Sequence, residues 1–257
     1  MTDSPWLSVV TAVRDDVSGL SRTLESLGSP GDSGVEVLVV DSSADRDSVI
    51  EAVAGRAHVH WMEPEGIYPA MNAGLNLARG TYTQFLNAGD TLHGHDVLSR
   101  VAQRAASSPA WMFGQVEIIS PTGTRAVTPA WDYEGERRRL FSRGFFPQHQ
   151  GTFVRTQTLR EVGGFDLSYA VASDYATFLQ LSEIADPEIL NFIVADFHEG
   201  GASTVHWRVA FREFHRARRE VFRPTGTTSI REAVDTATHF AKVWVYREVV
   251  EPRRARR

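Results

Sequence analysis

The 257-residue chain predicts an α/β fold, with a mostly parallel central sheet flanked by helices and a C-terminal helical extension. Three observations predict it. Short, β-branched apolar runs alternate with helix-period segments through the first third of the chain. Three acids, Asp15, Asp41 and Asp90, fall just after the ends of such runs, where open parallel sheets bind ligands. The composition, 42% hydrophobic and 23% charged, is that of a globular protein and argues against disorder or a coiled coil as the overall description.

The elements follow in order. "LSVVTAV" reads as a buried strand, and "VSGLSRTLESL" as a helix with Leu20, Leu24 and Leu27 on one face. After the loop "GSPGDSG", "VEVLVVD" is a second buried strand and "DRDSVIEAVAG" a second helix. "AHVHWME" is a third strand. "IYPAMNAGLNLARG" has helical character, with Gly80 as its expected end, and "TYTQFL" is the fourth strand. The second half is less regular. "WMFGQVEIIS", "TRAVTPA" and "GTFVRT" read as antiparallel strands, with "SPTGT" turning between the first two. "SDYATFLQLSEIA" is a helix with Ser173 or Asp174 near its N-cap, and "EILNFIVADF" a further strand. Helices around "VAFREFHRARREVF" and "SIREAVDTATHFAKVWVYREVVE" close the chain. No internal repeat is visible.

The formal net charge of -5 speaks against nucleic acid as a partner, although "ERRRL", "RARRE" and "PRRARR" concentrate arginine in the second half. The chain has no cysteine, which removes a disulfide framework and thiolate-held zinc. "MTDSPWLSVV" lacks the pattern of a signal peptide, and no uncharged apolar run reaches the ~18 residues of a membrane span, so a cytoplasmic protein is expected.

Four groups of residues could carry chemistry. Asp41 could accept hydrogen bonds from a base or ribose, or stabilise a turn. Asp90 could bind a divalent cation such as Mg or Mn, with a diphosphate completing the shell, or could end a turn; His93 and His95 are further candidate ligands, or surface imidazoles. Asp174, at a helix start, could be a general base or a simple cap. His149 and Gln150 precede a strand, where an imidazole could contact substrate or phosphate. GxxxxGK[ST], GxGxxG opening a helix, GxSxG and HExxH are all missing, which withdraws support from ATPase, dehydrogenase, serine hydrolase and zincin readings.

Taken in order, "LSVVTAVRDDVSGLSRTLESL", "VEVLVVDSSADRD", "EPEGIYPAMNAGLNLARGTYTQFLNAGDTL", "HQGTFVRTQTLREVGGFDLSYAVASDYATFLQL" and "FHEGGAST" resemble family 2 glycosyltransferases of the GT-A fold, over about residues 7–203. The third stretch resembles the branch that carries "GIYDAMNKGI" before "FLNAGD" or "FLGADD". The resemblance implies donor contacts at Thr11, Ala12, Arg14, Asp41, Gly66, Ala70, Asn72 and Asn87, with Gly74 shaping the same pocket. It implies Asp90 as the metal ligand, Asp174 as the catalytic base, and His149 and Gln150 as acceptor or phosphate contacts. Asn87 and Gly89 stand where many relatives carry acids, "VVDSSADRD" lacks the fuller "DGGSTDGT" pattern, and Pro69 replaces a frequent acid.

The implied reaction is an inverting transfer from a nucleotide-sugar to an acceptor hydroxyl of a glycan, a lipid-linked molecule or a small molecule, assisted by Mn or Mg. The alternatives are a non-catalytic nucleotide-sugar-binding protein and a sugar-phosphate nucleotidylyltransferase; the latter would need a Gly-rich basic loop that "TAVRDDVSGL" does not supply. The expected division is a transferase domain at 1–204, with a nucleotide-sugar half at about 1–95 and an acceptor half at about 96–204. A helical extension with a basic tail follows at 205–257. Its apolar and aromatic residues suit contact with the inner face of an anionic membrane, a homodimer, or a cover for the core.

Overall fold

The computed structural model describes residues 4–28, 34–129, 140–142, 144–198 and 207–245. β1 (Leu7–Val13), β2 (Val35–Asp41), β3 (His58–Trp61) and β4 (Tyr82–Phe85) alternate with α1 (Val17–Ser26), α2 (Arg46–Val53) and α3 (Ile67–Leu77). β1 pairs in parallel with β2 and β4, and β2 with β3. β1 and β2 are buried on both faces. Val9, Val13, Val37 and Val39 enter one core, and Val10, Ala12, Leu38 and Val40 enter another on the opposite face.

The second half adds β5 (Thr91–Leu92), α4 (Val97–Ala105), β6 (Trp111–Ile119), β7 (Arg125–Val127) and β8 (Thr152–Arg155). After them come α5 (Thr156–Glu161), α6 (Ser173–Ile184), β9 (Glu188–His198), α7 (Trp207–Phe222) and α8 (Thr227–Val245). Among the described residues the strands form one sheet in the order β3-β2-β1-β4-β8-β6-β9-β5, with β7 on the side of β6. β8 runs antiparallel to both β4 and β6, so the parallel ladder gives way to a mixed one beyond β4. The sequence does not announce α4, whose buried stripe is only Val97 and Val101.

Two glycines are demanded by close approach. α3 ends at Leu77 with Ala78 extended, so Gly80 is not its cap. A Cβ on Gly80 would lie 2.5 Å from the Ser8 amide nitrogen and 2.6 Å from the Leu7 carbonyl carbon. The same crossing holds the buried Glu36, which accepts from the Ser8 hydroxyl at 2.5 Å and from the Arg79 amide at 2.6 Å. Gly74 lets α3 lie on β1, since a Cβ there would meet Val10 at 2.2 Å.

The last two helices are fastened to the sheet domain. Glu213 of α7 accepts from the amides of Ala170, Val171 and Ala172 at 2.7, 3.0 and 3.0 Å, immediately before α6. Arg218, fully buried, donates to the Tyr175 hydroxyl at 3.0 Å and to Glu232 of α8 at 2.8 Å. α8 leaves Ile230, Val234, Trp244 and Val245 exposed. None of the described helices is long and apolar enough to cross a membrane. The arginines of "ERRRL" and "PRRARR", most of "FHEGGAST" and most of the loop "GSPGDSG" lie outside the described residues.

Candidate active site

The carboxyl ends of β1, β2 and β4 form one rim, because register places Val13 beside Asp41 and Val10 beside Phe85. Asp15, in the left-handed region at φ 55°, ties two rim loops together. Its amide donates to Ser43 Oγ at 2.8 Å, and its Oδ1 accepts from the Ala44 amide at 2.9 Å. Asp16 caps α1 through the Gly19 amide. Arg14 is exposed and lies 3.8 Å from Asp15.

"NAGD" makes a closed turn in which the Asp90 amide donates to the Asn87 carbonyl at 3.0 Å. Gly89 sits at φ 98°, so a side chain there would strain the backbone. Conformation therefore accounts for the glycine at this position. Thr23 of α1 clamps the turn, accepting from the Gly89 amide at 3.0 Å and donating to the Asp90 carbonyl at 2.7 Å. The Asp90 carboxylate is 5% exposed. It accepts from Gln150 Nε2 at 3.1 Å and from the His198 amide at 3.4 Å. Burial pushes its carboxyl up to about 6, against the lowering effect of the hydrogen bonds from Gln150 and the His198 amide.

Asp174 lies in the first turn of α6, whose N-cap is Ala172 with no side-chain cap bond, so neither Ser173 nor Asp174 is the cap. Asp174 Oδ1 accepts from its neighbour's amide, that of Tyr175, at 2.8 Å and from the Tyr68 hydroxyl at 3.1 Å. Burial, then the Asp174 charge, pushes the Tyr68 hydroxyl well above its ordinary range. Asp174 Oδ2 faces His149 Nδ1 at 3.5 Å. The other ring nitrogen of His149 meets Asn87 Nδ2 at 3.2 Å. His149 and Gln150 belong to one 3-10 turn, His149–Gly151, so adjacent residues reach Asp174 and Asp90.

The fold thus gathers Asn87, Asp90, His149, Gln150 and Asp174. Thr11 and Ala12 lie beneath them on β1; Thr11 is buried, its hydroxyl without a hydrogen-bond partner among the described residues. Gly66, at φ 123°, opens α3. Three other predicted donor contacts are turned toward the fold in this conformation. Asp41 is 1% exposed and closes a turn with the Ser43 amide at 2.8 Å. Ala70 is buried in the core. Asn72 holds the Phe165 backbone through both ends of its amide, at 2.8 and 2.9 Å. Sequence reasoning missed Tyr68, Thr23 and Glu213. Tyr68 lies inside "GIYPAMN" and was within reach of the motif, whereas Thr23 and Glu213 carry no local signal.

Among the described residues, two places offer oxygen or imidazole donors to a divalent ion. At Asp90 a buried carboxylate stands beside Gln150 Oε1, which has no hydrogen-bond partner among the described residues. Such a set fits a hard cation as a partial shell that substrate oxygens would complete. Elsewhere, ligand atoms of His93, Glu117 and Asp196 lie within 4.8 Å of one another. There His93 already meets Asp196 at 2.6 Å, and Arg125 meets Glu117 at 2.6 Å. His95 is exposed.

A sheet that is parallel through β1 to β4, mixed beyond and covered by helices has the architecture of the GT-A fold. Residues 8–162 match the model described as "Glycosyl transferase family 2", and the chain belongs to that family. It is an enzyme, a glycosyltransferase. An uncharacterized glycosyltransferase of Mycobacterium tuberculosis, Rv1514c, is 27% identical over 213 residues, 79% of each chain. The PGL/p-HBAD biosynthesis glycosyltransferase of Mycobacterium bovis BCG is 25% identical over 208 residues, 77% of this chain and 78% of that one. Among solved structures, S. aureus TarS 1-349 in complex with UDP-GlcNAc superposes with a TM-score of 0.67 at 15% identity, covering 93% of this chain and 73% of that one. The Pyrobaculum calidifontis mannosyltransferase PcManGT, in complex with GDP-Man and Mn2+, gives 0.59 at 16% identity, covering 96% and 76%.

Proposed function

We propose that this glycosyltransferase moves a sugar from a nucleotide-sugar donor to an acceptor hydroxyl by inverting single displacement, with Asp174 as the base. The observation that carries the reading is the convergence of two acids on one turn, where Gln150 holds Asp90 and His149 faces Asp174. Asp174 Oδ1 is engaged by Tyr68 and the Tyr175 amide, and Oδ2, which faces His149, keeps a further lone pair to take the acceptor's proton. The acceptor oxygen then bonds to the anomeric carbon, the bond from that carbon to phosphate oxygen breaks, and the electron pair leaves with the nucleoside diphosphate.

Asp90, with Gln150 Oε1 beside it, is where Mn or Mg would be held, and a bound ion would supply charge to the departing diphosphate. The TarS and PcManGT structures, bound to UDP-GlcNAc and to GDP-Man with Mn2+, support a nucleotide-sugar donor and a metal. Arg14, Gly66 and Asn87, with the backbone at Thr11 and Ala12, are the donor-side contacts at the rim. Asp41, Ala70 and Asn72 shape the pocket behind them. A lipid-linked acceptor would bring the exposed Ile230, Val234, Trp244 and Val245 of α8 toward a membrane surface.

A thermal-shift screen of nucleotide sugars with and without Mn2+, followed by turnover assays of each binder, tests the proposal. One donor is expected to raise the melting temperature by mass action and to be consumed by the parent but not by Asp174→Asn. No shift with any nucleotide sugar, or full turnover by folded Asp174→Asn, would overturn it.

A further inference from the structure

We infer that His149 is a positioning residue for Asp174, its Nδ1–H tautomer selected by Asn87. The inference rests on the proposed function for the role of Asp174, while the tautomer stands on the hydrogen-bond network alone. The turn itself is fixed. The Gln150 carbonyl accepts from Gln84 Nε2 at 2.7 Å, and the Gln148 carbonyl accepts from the Gly151 amide at 3.0 Å and the Thr152 hydroxyl at 2.7 Å. Gly151 presses against β6, where a Cβ would meet Val116 at 2.7 Å and the Gly114 carbonyl at 2.9 Å. The His149 ring is thus carried on a turn tied to its neighbours on both sides.

The tautomer follows from donors and acceptors. The Ala12 amide can only donate, so the group of Asn87 facing it at 3.4 Å is the carbonyl oxygen. The amide nitrogen of Asn87 must then face His149 Nε2, and because that nitrogen only donates, Nε2 accepts and is bare. The ring proton of the neutral imidazole therefore lies on Nδ1, opposite Asp174 Oδ2 at 3.5 Å. A shift of a few tenths of an ångström closes this contact into a hydrogen bond. Turning Asn87 over would set its NH2 against the Ala12 amide, donor against donor.

This gives the asparagine of "NAGD" a function. A carboxylate at position 87 would accept from Nε2 and draw the ring proton there, leaving Nδ1 bare toward Asp174. Asparagine instead leaves an uncharged N–H donor facing the base.

Nitrogen NMR of the full chain with 15N-labelled histidine reads the tautomer directly, the His149 signals being those lost in His149→Asn. The expected spectrum has a protonated Nδ1 and a bare Nε2, and in Asn87→Asp the same ring gains a proton on Nε2. A bare Nδ1 in the parent, or an unchanged ring in Asn87→Asp, would refute the inference. Turnover of a donor is the second arm. His149→Ala is expected to lower kcat on the order of tenfold to a hundredfold with little change in donor KM, as for other groups that orient a catalytic side chain. His149→Asn, whose amide nitrogen takes the place of Nδ1, restores part of it, and equal loss in both variants would count against positioning. If the parent turns over no nucleotide sugar, the proposed function fails, and the NMR arm still decides the tautomer.

Discussion

Replacing Asp90 with Asn should make the metal-free protein more stable. The Asp90 carboxyl is 5% exposed, and burial raises it from 3.8 to about 6. A carboxyl that binds its proton more tightly when folded stabilises the fold at low pH, and this contribution declines as pH rises between about 4 and 6. Above that window the ionised group costs the fold about 3 kcal/mol, from roughly two pK units at about 1.4 kcal/mol each. Asparagine removes the charge and keeps an oxygen for Gln150 Nε2, but its NH2 then faces the His198 amide, a donor. The net expectation is a gain of about 1–3 kcal/mol at pH 7.5, or about 2–4 °C of melting temperature per kcal/mol, shrinking toward zero by pH 4.5. Urea unfolding of both proteins in EDTA at the two pH values measures it, alongside donor turnover, which the variant should lose. A variant no more stable than the parent at pH 7.5, or a difference that does not change with pH, would refute the reasoning.

Glu213→Ala removes the acceptor of three backbone amides ahead of Asp174 and should cost about 2–4 kcal/mol in urea unfolding, with a loss of kcat. Unchanged stability and turnover would show that α7 does not support the proposed base. Glu232→Ala strands the buried Arg218 guanidinium, and a loss of about 3–5 kcal/mol should appear in the same assay. Burial works to raise the Glu232 carboxyl, but the hydrogen bond and charge of Arg218, with His215 and Thr236, hold it below its ordinary range. The part of the parent's stability that it contributes is therefore present above about pH 4.5 and lost as pH falls further, which acid titration of the folded state would show as a smaller acid-side decline in the variant. Gly80→Ala sets a methyl against the β1 backbone and should lower stability by about 1–3 kcal/mol; a calorimetric melting temperature equal to the parent's would contradict the crossing described.

The sequence alone determined the alternating elements of the first half, the ends of its strands and the acids placed there. Each depends on residues close in the chain: the apolar runs of β1 and β2, and the Asn, Gly and Asp that close a turn after β4. Family resemblance then selected Asp174 from among the remaining carboxylates. Asp41 shows the limit of local signal, since a strand-end acid reads alike whether it faces a ligand or closes a turn. Only the tertiary structure decided which groups meet. Tyr68 and Asp174 are 106 positions apart, Asn87 and His149 are 62 apart, and Gln150 lies 60 positions beyond Asp90. No periodicity encodes such pairs. They exist because β8 inserts antiparallel beside β4 and carries the 149–151 turn to the rim, while α6 brings Asp174 to the same turn from the other side.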